Sequence, residues 1–211
     1  AFLLLGIAAA NFFFYRAESV ASRDQTMAQL AAIADLKAQQ IDNWRLERLG
    51  DAAAVRDNPL IASAVTRWLS GRLSTADQSE LQRWLSMFVA NYDYRDAALL
   101  DSSGHPIAMT STAMPLSEDV HSLRKQATQS GSPSFGNLYV LPSGEQALDL
   151  LAPIPGTKSG STLGFLLLRV APGKVLYPML KAWPLPSDSA EILLVERRGD
   201  RIVYLNDLRH Q

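Results

Sequence analysis

The chain has 211 residues, no cysteine, and 20 basic against 21 acidic side chains, a length suited to one or two globular domains. A hydrophobic share of 47% supports a buried core, and the near-zero net charge leaves no electrostatic footprint for nucleic acid, which is set aside as a partner. Lack of cysteine excludes zinc ribbons, thiol catalysis and disulfide scaffolds together.

The opening stretch, AFLLLGIAAANFFFY, carries no charge until Arg16 and has no initiator methionine. A membrane span takes about twenty apolar residues, so residues 1–16 read as the outer part of a transmembrane helix that begins upstream. Two other readings stay open: a signal peptide cleaved near Ala8-Ala9-Ala10, and a buried core helix. Against cleavage, Phe12-Phe13-Phe14-Tyr15 continues the apolar run and ends in the aromatic-then-Arg edge of a membrane interface. A span and a signal peptide would each export the chain beyond Arg16.

Residues 17–92 are predicted helical. From Ala17 to about Gly50 the chain is rich in Ala, Gln, Leu, Glu and Arg and free of proline. Met27, Leu30, Ala34, Ile41 and Trp44 recur at helical spacing, with Ile33 and Leu36 widening the stripe, while Arg23, Asp24, Lys37, Asp42 and Arg45 take other positions. Such a helix, rising about 1.5 Å per residue, suits a stalk between a bilayer and an outer domain. Asn58-Pro59 predicts an N-cap followed by proline at the first helical position, with Gly71 just past the helix end. Ser74 with Asp77 predicts a capping box ahead of LQRWLSMFVANY.

After Asp93 the period changes. AALLD, the turn Asp101-Ser102-Ser103-Gly104 and PIAMTS predict a hairpin. Ser117 is placed to cap a helix that stops at Gly131. SFGNLYVL, the turn Pro142-Ser143-Gly144 and EQALDLLAPI predict a second hairpin, and after a Gly156–Ser161 loop TLGFLLLRV is apolar enough for a central strand. The connector VLYPMLKAWPLP, expected to be interrupted at Pro178, precedes EILLVE and RIVYLN, which predict a further hairpin. The fold class is therefore α+β.

This order, with the runs QIDNWRLERLGDAAAVRDNP, DYRDAALLDSSGHPI, SFGNLYVLPSGEQALDLLAPI, LYPMLKAWPLP and EILLVERRGDRIVYLNDLRH, resembles the double-Cache extracytoplasmic sensor regions of bacterial sensor histidine kinases and diguanylate cyclases. The resemblance implies a PAS-like antiparallel sheet packed on the long helix. It implies a membrane-distal Cache unit over 93–171, a connector over 172–189, and the start of a membrane-proximal unit over 190–211. It further implies a periplasmic location at the bacterial inner membrane, a homodimer through the long helix, and a cytoplasmic kinase, cyclase or chemotaxis output. Ligands in that family usually sit in the distal unit, between the sheet and the loops and helix after its second strand. The tyrosine, arginine, tryptophan and aspartate signature of amino-acid-binding members does not align onto Met109 to Tyr139, which disfavours amino acids.

Candidate ligand-binding residues are assigned from residue chemistry. By strict alternation, Phe135, Asn137 and Tyr139 share one face of their strand, and aromatic walls around one amide suit a small polar ligand. Met109 and Ser111 on the second strand and Asp149 on the fourth are expected to join that face, Asp149 needing a partner if buried. Arg95 and Arg124 are candidates to hold a carboxylate in bidentate fashion. Each of these residues also has an ordinary surface or edge-strand explanation.

No catalytic constellation emerges, and no cofactor or metal is expected. His105, His121 and His210 are scattered and not spaced as a helical metal pair, and neither a Gly-x-Ser-x-Gly elbow nor a glycine-rich phosphate loop occurs. Arg198-Gly199-Asp200 is explained by a hairpin turn better than by adhesion. The reading is a sensor of an unidentified small molecule. A membrane-anchored protein-interaction module and an exported hydrolase remain the alternatives.

Overall fold

The computed structural model describes residues 2–111, 114–156, 161–184 and 190–206. His210, the middle of the Gly156–Ser161 loop and the end of the connector lie outside them. So do the side chains of Ala8-Ala9-Ala10.

Helix α1 (Phe2–Arg56) is continuous for 55 residues. From 11 to 32 all of its described side chains are exposed, Phe12 to Tyr15, Val20, Met27 and Leu30 among them. Among the described residues, no helix is long and apolar enough to cross a membrane. Among its described side chains the first buried one is Ile33, followed by Lys37, Trp44, Ala52 and Val55. The buried stripe therefore differs from the expected one. Met27, Leu30, Ala34 and Leu36 face solvent, and Lys37, assigned from sequence to the polar face, is 6% exposed.

Helices α2 (Pro59–Leu69) and α3 (Thr75–Asn91) come next. The Asn58 side chain accepts from the Leu60 N–H, and Ser74 and Asp77 form the reciprocal capping box, as the sequence predicts. Five strands succeed them, interrupted by α4: β1 (Asp96–Asp101), β2 (Pro106–Met109), α4 (Val120–Ser130), β3 (Ser134–Val140), β4 (Gln146–Pro155) and β5 (Thr162–Val170). They form one antiparallel sheet in the order β2-β1-β5-β4-β3. Ser117 does not cap α4 with its side chain. Asp119 stands at the N-cap, where its side chain makes no capping bond, and Ser117 contributes only its carbonyl, to the Val120 N–H.

The two sheet faces have separate covers. Trp44, Ala52 and Val55 of α1, with Ile61 and Val65 of α2 and Leu85 of α3, pack on Leu99, Leu150, Leu166 and Leu168. Leu123 and Ala127 of α4, with Met114, pack on Ala98, Leu100, Leu151, Phe165 and Leu167. On the first face, Gly164 lets the chains close up: a Cβ there would stand 2.3 Å from the Leu100 carbonyl oxygen.

Helix α5 (Leu176–Lys181) occupies the connector. Pro178 does not interrupt it, because the residue lies in the first turn, where backbone N–H groups have no intrahelical acceptor. Strands β6 (Val195–Arg198) and β7 (Arg201–Tyr204) then form a separate two-stranded sheet around the Gly199 turn, and Asn206 closes its base by accepting from the Leu194 N–H and donating to the Ile192 carbonyl.

Candidate ligand site

The α4 face of the sheet is apolar along most of its length and polar at one end. Asp96, Arg169 and Asp149 lie in direct register on β1, β5 and β4. The Arg169 Nε donates to Asp149 Oδ1 at 2.8 Å, and its Nη2 donates to Asp149 Oδ2 at 3.1 Å and to the Pro115 carbonyl at 2.9 Å. Tyr139 of β3 donates its hydroxyl to Asp149 Oδ2 at 2.9 Å, and the guanidinium sits 5.5 Å from the centre of its ring. Neither Arg169 nor Asp149 has more than 1% exposure. Burial opposes the charge on Arg169, but the Asp149 hydrogen bonds and field outweigh it and leave its pKa raised. Burial and then the Asp149 charge push the Tyr139 phenol well above the usual tyrosine range.

Above this row is a cleft of about 280 Å³ between the sheet, the loop after β2 and the β3–β4 turn. Arg95, Asp96, Ser111, Met114, Leu141 and Arg169 are among the residues that line it. One guanidinium nitrogen of Arg169, Nη1, is buried and has no hydrogen-bond partner among the described residues. A cationic donor held this way binds an acceptor strongly, because its desolvation has already been imposed by the fold.

The residues singled out from sequence divide among several places. Arg95 and Ser111 line the cleft. The Arg95 guanidinium also lies 3.5 Å from Asp96 and against Glu145. Met109 ends β2 and packs on the α4-side core. Asp149 and Tyr139 stand behind Arg169. The expected common face of Phe135, Asn137 and Tyr139 does not form. A bulge opposes Gly136 and Asn137 to the single residue Asp149, so the alternation reverses within β3. Phe135 consequently stacks on Trp44 of α1, with ring centres 5.8 Å apart, while Tyr139 points to the α4 side. Asn137 is exposed and donates to Asp119 Oδ2 at 3.1 Å. Together with Tyr139 it lines a second, open cleft of about 550 Å³ between β3 and the β6–β7 hairpin. Arg124 is engaged elsewhere: its guanidinium donates to the Ser102 and Ser103 carbonyls and lies over the Phe165 ring.

Arg169 was missed. Within TLGFLLLRV it reads as the end of an apolar strand, yet Phe165, Leu167 and Arg169 alternate onto one face opposite Leu151 and Asp149 on β4. An aspartate and an arginine at matching ends of two neighbouring apolar strands is the signal that pairs them. Of the three histidines, His105 stands 3.4 Å from Asp101 across the first hairpin turn and His121 is exposed on α4.

No protein-family model matches the chain, and no curated protein matches it by sequence. Solved structures do. The sensor domain of the Vibrio cholerae histidine kinase DctB superposes with a TM-score of 0.52 at 13% identity, over 68% of this chain and 55% of that one. The ligand-binding domain of the Pseudomonas aeruginosa amino acid chemoreceptor PctC, in complex with GABA, gives 0.53 at 20% identity over 74% and 65%. That of the Campylobacter jejuni chemoreceptor Tlp3, in complex with L-norvaline, gives 0.57 at 9% identity over 76% and 64%. The chain thus spans a little over half the length of the DctB domain. With its long N-terminal helix and five-stranded antiparallel sheet, the chain has the Cache-type, PAS-like fold that these sensor domains share.

Proposed function

We propose that this chain is the extracytoplasmic ligand-sensing region of a membrane-anchored receptor, and that a small molecule presenting a hydrogen-bond acceptor binds in the cleft over Arg169. The unpartnered, buried Nη1 of Arg169 beside that cleft carries the reading. Support comes from the fold, which is that of sensor domains, several of them solved with amino acids bound. Amino acids are one class to test here, although the arginine-tryptophan-tyrosine signature is not matched. The cleft is small, which suits a ligand of few heavy atoms.

Ligand binding would shift the packing of α4 and the β2–α4 loop, and an output below the membrane would respond to the position of α1 in a homodimer. Such a shift requires different affinities in the two states. The exposed aromatic residues Phe12 to Tyr15 suit a membrane interface, and the exposed stretch from 11 to 32 suits pairing with a second copy. An alternative, a membrane-anchored module that binds another protein, draws on the exposed Ile202 and Tyr204 of the hairpin.

Thermal unfolding of residues 17–211 against panels of small carboxylates, amino acids, amines and sugars tests the proposal. One chemical class should raise the midpoint, and Ser111→Trp, which fills the cleft, should abolish the rise. A midpoint that no class moves, or a rise that survives in the Trp variant, counts against a ligand at this place.

A further inference from the structure

On the α1 side of the sheet Lys37 is buried, and it does not line the proposed ligand cleft. It lies on the inner stripe of α1 between Ile33 and Ile41, and its Nζ donates to the carbonyls of Met179 and Ala182 at 2.6 Å each. Those acceptors belong to the last turn and C-cap of α5, where carbonyls have no partner within the helix and the helix dipole favours a positive charge. Among the described residues no carboxylate lies within ion-pair distance of Lys37. A lysine buried against neutral carbonyls is costly to place and is held by those bonds.

The other side of α5 faces the sheet and the hairpin. The Tyr177 hydroxyl is within hydrogen-bonding reach of both Gln146 on β4 and the Leu205 carbonyl just after β7. Leu176 and Leu180 are buried in the α1-side core. Thus α5 is one short helix joining three elements: the long helix through Lys37, the sheet through Gln146, and the base of the β6–β7 hairpin through Leu205. Its six residues are too few to be stable alone. Its position therefore depends on these attachments.

We propose that Lys37 is the fastening point between the long helix and the connector, a positioning residue whose ammonium holds α5, and through it the hairpin, in one register against α1. Hydrophobic contacts from Leu176 and Leu180 allow several neighbouring placements of a helix this short. Two directed bonds from one cation to carbonyls at the helix end select a single one. The latch works whether or not the cleft at Arg169 takes a ligand, so the two readings fail separately.

Hydrogen exchange on the intact chain tests the latch, because a local fastening and a general core contact give different patterns. In Lys37→Met, peptides covering 176–206 should exchange at least about tenfold faster, while peptides covering β1, β4 and β5 keep their wild-type rates. Lys37→Gln, which retains a donor, should accelerate the same peptides less. Uniform acceleration throughout the domain in either variant would make Lys37 an ordinary core residue and overturn the proposal. Unchanged rates at 176–206 in both variants would overturn it as well. Should Lys37→Met not fold, the pattern in Lys37→Gln decides by the same criteria.

Discussion

Arg169 and Asp149 face each other in register across β5 and β4, both buried and joined by two parallel hydrogen bonds of 2.8 and 3.1 Å. A buried pair of this kind gains little over apolar packing, but removing one member strands the other. Asp149→Ala should lower the free energy of unfolding by about 3–5 kcal/mol, whereas the double substitution Asp149→Leu with Arg169→Leu should recover most of the loss. Denaturant titration checks both. A double variant as unstable as the single one would make the pair structural and remove the case for its role in binding.

Tyr139 extends this pair by one hydrogen bond to the carboxylate. Tyr139→Phe is expected to cost about 1.5–3 kcal/mol, the range for a bond to a charged group. The phenol also sets an alkaline limit. Its folded pKa is raised by burial and by Asp149, so its contribution is present in full below the unfolded value of about 10 and is lost as pH climbs toward the folded one. Unfolding measured across that window should show the wild type losing stability faster with pH than the Phe variant.

The two candidate arginines make opposite predictions. Arg95 lines the cleft with its guanidinium partly exposed, so Arg95→Ala should weaken any compound found by thermal shift while changing intrinsic stability by less than about 1 kcal/mol. Arg124 holds the Ser102 and Ser103 carbonyls of the first hairpin turn. Arg124→Ala should loosen that turn and leave affinity for the same compound unchanged. Calorimetric titration of each variant separates them.

Acid sensitivity should appear at the same turn. Burial opposes ionisation of Asp101, but the backbone N–H groups of His105 and Ser103 bond its carboxylate and hold its pKa below the ordinary range. The stabilisation is present above the unfolded value and is lost as pH falls through the folded one. Amide protection in β1 and β2 should therefore decline in that window for the wild type, and Asp101→Ala should show the decline already at neutral pH.

The proposed pairing of the long helix can be tested by cross-linking, since the chain has no cysteine of its own. A single Met27→Cys on the exposed part of α1 should give a disulfide-linked dimer under mild oxidation in membranes, and a cysteine at Asn137 should not. Equal cross-linking at both positions would indicate collision and not a helix pair.

Most of the architecture was legible because it depends on local chemistry. The Asn58-Pro59 start, the Ser74–Asp77 box and the glycines at 71, 104, 131, 144 and 199 act over a few residues, and their backbone requirements are met where the sequence places them. Alternation and apolar runs then identified the five strands that form the antiparallel sheet. Alternation failed where one extra residue entered β3, because a bulge is decided by the partner strand.

Left to itself, the sequence determined the kinds of element, their ends and their order, since capping, turn and periodicity signals lie within a turn or two of the chain. Tertiary structure alone decided which polar residues go inside. Asp149 meets Arg169 20 residues later, and Lys37 meets the carbonyls of Met179 and Ala182 more than 140 residues away. A charge can be buried only where another element supplies its partner, so its burial cannot be read from one element taken alone.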